Sequence, residues 1–385
     1  MDTHYHTKLF LAGPTEVSEE MLAAMTRPMI GHRSKDYQTL HESVVRKLKE
    51  FIGTTHEILI FTSSATGVME AAVRNGVKGE ILHTVCGAFS ERWVDISKAC
   101  NKQVEVVEVP FGKAIKPELI REIFSRVGAG FTSAPTGAHA RRAPTSNEGT
   151  FDAVTITHNE TSSGVMNPLK DLCNVAQTAQ PNALIFVDAV SSFGGSVIRP
   201  DELGIDVLIF GTQKCMALPP GLAFAVVSPR AMERSAQMTD KGYYFDFIEM
   251  KKYAEKDQTP ATPAISLLYG VDAQLGRMLA EGMEGRARRH KEMARLAQEW
   301  VAKHRLPFTA EEGFRSSTVT SVTAPEGFNS GEFRKKVREK GYALADGYGQ
   351  LKGKGFRIGH MGDWQVRDVE ELLEVMDEVI NIMSP

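Results

Sequence analysis

A chain of 385 residues is long enough to bury a large core and to form two domains. Hydrophobic residues make up 42% and charged residues 24%, an ordinary globular balance, and a formal net charge of −3 leaves no basic surplus for nucleic acid or an anionic membrane. No stretch reaches the roughly 18 apolar residues of a membrane span, and the opening MDTHYHTKLFLAGP has no long apolar region behind a basic one, so a cytoplasmic location and a small-molecule partner are expected.

In chain order, LFLAGPT (9–15) is too short for an independent element, and Gly13-Pro14 forces a turn. Ser18 followed by Glu19 and Glu20 predicts a helix start, with Met21, Leu22 and Met25 on one face. From Gln38 to Ile52, Leu40, Val44, Leu48 and Phe51 recur at helical spacing, which predicts a core-facing helix. EILIF (57–61) reads as a strand, TSSATG (62–67) as a turn and GVMEAAVRN as a helix. Such a helix start is a place for a phosphate, because first-turn amides lack partners and the dipole favours an anion. Ser64, Ala65 and Thr66 are the phosphate candidates, although a plain capped helix has the same pattern. A further unit follows, with EILHTV (80–85) as strand and CGAFSERW (86–93) as turn, and then QVEVVEVP (103–110) as strand with a helix over Lys116–Arg126.

Residues 127–150 are rich in small residues and lack hydrophobic periodicity, which predicts an inserted surface loop whose His139, Arg141 and Arg142 are solvated. AVTITH (153–158) returns to strand and leads into Asn159, Glu160, Thr161, Ser162, Ser163 and Gly164. The runs ALIFVD and DVLIFG read as buried parallel strands, the first ending in Asp188 and the second leading to Gly211, Thr212, Gln213 and Lys214. Both polar groups therefore sit at carboxyl ends of strands, where open α/β sheets bind ligands. A lysine flanked by Phe210, Cys215, Met216, Ala217 and Leu218 loses water around its ammonium, which lowers its pKa and frees an amine able to form a Schiff base. An aspartate nearby suits a pyridinium nitrogen. Singly, Asp188 reads equally well as a helix cap and Lys214 as a snorkelling side chain.

LAFAVVS (222–228) is expected to close the central sheet, and a long helix over Gly282–Lys303 to start a smaller domain. That domain continues with strands TVTSVTAP (318–325) and FRIGH (356–360), the helix GEFRKKVREK between them, and a last helix with Val369, Leu372, Leu373, Met376, Val379, Ile380 and Met383 on its core side. The expected division is an N-terminal arm 1–15, a large domain 16–278 and a small domain 279–385. Cys86, Cys100, Cys173 and Cys215 are scattered with no CxxC pair, so neither a metal site nor a disulfide framework is expected.

Asp-Ala-Val-Ser-Ser at a strand end, Lys214 of Gly-Thr-Gln-Lys 26 residues after Asp188, and NETSSG (159–164) together resemble the class V branch of the fold type I pyridoxal-phosphate enzymes. Within it, the chain is similar to the alanine–glyoxylate and serine–pyruvate aminotransferases, from about Leu9 to about Met383. The resemblance implies an α/β fold with a large domain built on a mostly parallel central sheet and a smaller C-terminal α+β domain. It implies pyridoxal 5'-phosphate as cofactor, Lys214 as the Schiff-base lysine and Asp188 as the partner of the ring nitrogen, with Val190 and Gln213 beside them. Phe89 matches the aromatic that stacks on the pyridine, where many relatives have tryptophan, and Thr161 matches the hydroxyl that bonds the 3' oxygen. Thr259 or Thr262 would reach the phosphate of the neighbouring subunit in a homodimer. Arg357 matches the clamp of the substrate α-carboxylate, and Gly13 a backbone contact to substrate. Gly31, His32, Arg33 and Ser34 resemble a loop at the dimer interface, with no catalytic role implied for His32.

Ser63 and Ala65 stand where the family often has glycine. The reaction implied is ping-pong transfer of an amino group from alanine, serine or aspartate to a 2-oxo acid such as glyoxylate or pyruvate. No G-x-G-x-x-G follows a strand, which separates the chain from NAD-binding folds. Residues 343–359 hold no cysteine, against desulfuration. Transamination of 2-aminoethylphosphonate and a cofactor-free scaffold of the same fold are the alternatives.

Overall fold

The computed structural model describes residues 6–128, 139–142 and 150–383. Eight strands form one sheet in the order Glu57–Phe61, Ala223–Val227, Val207–Gly211, Leu184–Asp188, Ala153–Thr157, Glu80–Val85, Gln103–Glu108 and His139–Arg142. From Val207–Gly211 to Gln103–Glu108 all neighbours are parallel. The pairings outside that block are antiparallel. Alternate residues enter opposite cores: Ile58, Ile60, Leu208 and Phe210 on one side, Leu59, Phe61, Val207 and Ile209 on the other. Burial on both faces is why these strands read as unbroken apolar runs.

Helices Lys35–Ile52 and Ile265–Glu281 cover the first face through Val44, Leu48, Leu268 and Leu275, and Ala65–Gly76 covers the second through Val68 and Ala72. A second sheet, in the order Lys8–Phe10, Tyr342–Asp346, Gly355–Gly359 and Val319–Thr323, shares a third core with helices Met283–Lys303, Ser330–Glu339 and Val366–Met383. Among the described residues no helix is long and apolar enough to cross a membrane.

Several local expectations change. Lys8–Phe10, too short to stand alone, pairs in parallel with Tyr342–Asp346, so a strand absent from the sequence reading gives the N-terminal segment its place. CGAFSERW is a turn only to Gly87, since a helix runs over Ala88–Ala99. LAFAVVS does not close the sheet at an edge but lies between two strands, antiparallel to both. Within 127–150, His139–Arg142 pairs with Gln103–Glu108 as an edge strand rather than a loop, and the remainder of that expected insertion past residue 128 and up to residue 149 lies outside the described residues. Leu22 is exposed while Met21 is buried.

Candidate active site

Parallel register sets Asp188 beside Thr157 and beside Ile209, so the carboxyl ends of three central strands meet. Asp188 ends its strand, and Lys214 follows the next strand by three residues. Both are buried, at 5% and 8% exposure. The Asp188 carboxylate accepts the Val190 N–H at 2.8 Å, and the Lys214 Nζ donates to the Ala12 carbonyl. Gly13 follows with φ +99°, and a Cβ there would stand 2.6 Å from the Lys214 Nζ. Only glycine lets the N-terminal segment cross the lysine this closely. Gln213 is half-buried, and its carbonyl accepts the Thr15 N–H at 3.2 Å.

Burial shapes the charges. It pushes the Asp188 carboxyl up to about 7, with the Val190 N–H and the Lys214 and Arg92 cations pulling the other way. It pulls the Lys214 ammonium down to about 8, and the Arg357 charge adds to the effect. Each group is thus poised near neutrality, where it can take or give a proton.

Glu160, fully buried, accepts the backbone N–H groups of Phe89, Ser90 and Ser162 and the Ser162 hydroxyl. Its carboxylate lies at the start of helix Ala88–Ala99, whose dipole favours it, and a Cβ at Gly87 would stand 2.6 Å from its Cδ. This one side chain ties Phe89 to the Thr161 segment. Replacing it, as Glu160→Gln, puts an amide NH₂ against N–H donors, and a loss of about 3 kcal/mol in stability is expected, read from a urea melt at pH 7.

Phe89 is half-buried, with the Lys214 Nζ 6.0 Å from its centroid. Tyr348 lies parallel to it, centroids 5.0 Å apart and tilted 15°, and the Arg92 guanidinium sits 4.8 Å from the Phe89 centroid. Thr161, 3% exposed, pairs its hydroxyl with the Ser191 hydroxyl at 2.5 Å, and its carbonyl accepts from Arg357 Nη1 at 3.0 Å. Arg357 lies on an inner strand of the small sheet and also donates Nε to the Asp346 carbonyl at 2.9 Å. The Asp346 carboxylate is taken by Arg334, so two of five Arg357 donors are used and no carboxylate among the described residues pairs with it.

Helix Ala65–Gly76 begins at Ser64, whose side chain makes no capping bond, and Thr66 accepts a 3.4 Å bond from Arg92. Thr259 is 5% exposed and turned inward, bonding the Ala261 carbonyl at 2.8 Å and meeting the Tyr37 hydroxyl at 3.4 Å. Thr262 is exposed and lines an open, mainly apolar groove of about 660 Å³ with Met25, Met29, Pro219 and Leu267.

The structure therefore gathers Lys214, Asp188, Val190, Phe89, Thr161, Arg357 and Gly13 at one cleft, while Thr259 and Thr262 face elsewhere. A buried carboxylate with one N–H, an amine on one carbonyl, half-buried Phe89 and Val190, and an uncapped helix start suit a flat ring with a cationic nitrogen at one end and a phosphate at the other. Reading the sequence misses Glu160, Arg92 and Tyr348. Arg92 follows Phe89 by three positions on the same helix face, a signal that could have found it. Tyr348 lies in a glycine-rich loop and carries no such signal.

The family profile described as aminotransferase class V matches residues 144–349. An uncharacterised aminotransferase of Methanocaldococcus jannaschii is 38% identical, covering 92% of this chain and 87% of its own length. The L-aspartate–glyoxylate aminotransferase of Paracoccus denitrificans is 33% identical over 92% of this chain and 86% of its own. Among solved structures, a subgroup IV aspartate aminotransferase from Thermus thermophilus superposes with a TM-score of 0.85 at 28% identity, covering 98% of this chain and 99% of that one.

Proposed function

This chain belongs to the class V aminotransferases, a pyridoxal-phosphate-dependent family, and we propose that it transfers the amino group of a small L-amino acid, alanine, serine or aspartate, to a 2-oxo acid such as glyoxylate or pyruvate. The observation that carries this reading is the convergence of a buried amine, a buried carboxylate and an arginine fork on one cleft. Bound there, pyridoxal phosphate supplies an electron sink for the carbanion left when an amino acid loses its α-proton.

Lys214 would hold the cofactor through its amine. Free of the cofactor, the Nζ would take the substrate α-proton, since its lowered pKa of about 8 raises the share of neutral amine above that of an ordinary lysine. Asp188 would hold the proton on the ring nitrogen by facing it with a carboxylate. Phe89 and Val190 would fix the ring plane, Gln213 would lie beside it, and the Thr161 hydroxyl would bond the 3' oxygen. The amides of Ser64, Ala65 and Thr66 would take the phosphate.

Arg357 would clamp the α-carboxylate with its three remaining N–H groups, next to the Gly13 backbone. Arg357→Lys keeps the charge and loses the fork, so KM for every amino donor should rise about 10- to 100-fold with a smaller change in kcat, read by steady-state kinetics.

We further infer a homodimer in which Thr262 of a second copy, rather than Thr259, reaches the phosphate. The exposure of Thr262 in an apolar groove and of Met29 at 67% supports this, as does the inward bonding of Thr259. We also propose an arm 1–15, a large domain 16–278 and a small domain 279–385, a division supported by the two separate sheets, although the Lys8–Phe10 strand pairs within the small one. Four unpaired, buried cysteines are consistent with a reducing, cytoplasmic compartment.

The test is the visible spectrum of the purified holoenzyme with single amino acids and no acceptor. A visible band that gives way to the near-ultraviolet absorbance of the aminated cofactor with alanine, serine or aspartate is the expected result. A coloured protein unmoved by any of them overturns the substrate assignment, and a colourless one that takes up no added cofactor overturns the enzyme.

A further inference from the structure

Resting on the reading of Arg357 as the clamp of the α-carboxylate, we propose that Arg92 determines specificity by binding a second anionic group, so that the preferred donor is a dicarboxylic amino acid with its distal carboxylate on Arg92. Arg92 stands in the cleft, over Phe89, and its bonds are weak ones. Nη1 reaches the Thr66 hydroxyl at 3.4 Å and Nη2 the Tyr348 hydroxyl at 3.3 Å. Both acceptors are neutral and both distances are long for N–H···O. Elsewhere in the chain Arg230, Arg234, Arg286 and Arg289 each hold a carboxylate. Around the Lys214 cleft, Arg92 and Arg357 hold none among the described residues.

Tyr348 relates these two cations. Its ring centroid is 5.6 Å from the Arg357 Cζ, and its hydroxyl accepts from Arg92. Tyr348 thus stands against both guanidinium groups, and on this proposal a short carbon chain with a carboxylate at each end would run from one to the other. A distal carboxylate would replace long bonds to hydroxyls with a charge-assisted, fork-to-fork pair. Tyr348 orients Arg92 by its hydroxyl and by stacking on Phe89, which Glu160 holds in turn. The proximity of Arg92 to Thr66 defines the rival role, in which Arg92 serves the cofactor phosphate.

Calorimetry on the holoenzyme separates the two. Succinate and butyrate are unreactive four-carbon probes that differ in the second carboxylate. The wild-type protein should bind succinate at least about tenfold more tightly than butyrate, the advantage of one charge-assisted pair. Arg92→Met should erase that difference, leave butyrate affinity within about twofold, leave cofactor retention in its visible spectrum unchanged, and lower the aspartate-to-alanine ratio of kcat/KM about tenfold or more. Tyr348→Phe, at a half-exposed site where folding is not at stake, should weaken succinate alone, by about threefold or more.

Equal wild-type affinities, a Tyr348→Phe protein with unchanged succinate binding, or an Arg92→Met protein that sheds cofactor or weakens both probes alike would each overturn the proposal. Arg357→Met checks the underlying reading separately. It should weaken both probes, and if it changes neither, the clamp assignment fails whatever Arg92 does.

Discussion

Replacing Lys214 with methionine should lower turnover by about 10⁴-fold or more while making the cofactor-free protein more stable at neutral pH. The loss follows from the proposed roles of Lys214, which would be both the covalent anchor and the proton carrier. The gain follows from linkage. In the folded chain burial pulls the ammonium from 10.5 to about 8, so below pH 8 the folded state carries a buried charge that the unfolded state leaves in water. That drop corresponds to about 3 kcal/mol, an upper bound for the stabilisation in the variant. Between pH 8 and 10.5 the folded amine is neutral while the unfolded one still binds a proton, so wild-type stability rises and the difference between the proteins closes. Urea melts of both cofactor-free proteins at pH 7 and pH 10.5 read this directly. A gap that does not shrink with pH would show that Lys214 is not held as a desolvated amine.

Asp188→Asn should lower kcat about 10²- to 10³-fold, because in the proposed role it removes the carboxylate that would face the ring nitrogen. Here the folded pKa is raised, from 3.8 to about 7, chiefly by burial. Below pH 4 both states are protonated. Between pH 4 and 7 the unfolded chain releases its proton while the folded one keeps it, so this group's contribution to stability is lost as pH rises. Above pH 7 the asparagine variant of the cofactor-free protein should be more stable than wild type, by up to about 4 kcal/mol. Adding pyridoxal phosphate should reverse the order, since a ring cation favours the carboxylate and does nothing comparable for the amide. The measurement is the change in melting temperature on adding cofactor at pH 8, and a shift in Asp188→Asn as large as in wild type would sink the pairing. Together, Lys214 and Asp188 make their joint contribution to cofactor-free stability smallest between pH 7 and 8. The site is least comfortable without its cofactor in the range where its groups can exchange protons.

The sequence by itself determined the elements that local chemistry encodes. Apolar runs such as LIFVD and VLIFG specify strands buried on both faces, and their ends place Asp188 and Lys214 at the ligand-binding edge of the sheet. Ser18 caps the helix it precedes, accepting the Met21 N–H, whereas the helix expected from Gln38 begins at Lys35 with Ser34 as its cap. The site lysine and aspartate were legible because burial and charge are both written in their immediate neighbours. Tertiary structure decided what depends on residues far apart in the chain. The strand Tyr342–Asp346 gains its place by pairing with Lys8–Phe10 and with Gly355–Gly359, and YALAD alone has too little apolar pattern to announce it. Glu160 meets helix Ala88–Ala99 across 70 or more positions, and Arg92 meets Tyr348 across 256. Thr259 and Thr262 are indistinguishable as sequence, and only the fold turns the first toward Tyr37 and leaves the second exposed. Periodicity and neighbours report what a segment buries. Which charges end up sharing one cleft depends on loops whose positions are set by sheets formed elsewhere, and no local pattern carries that information.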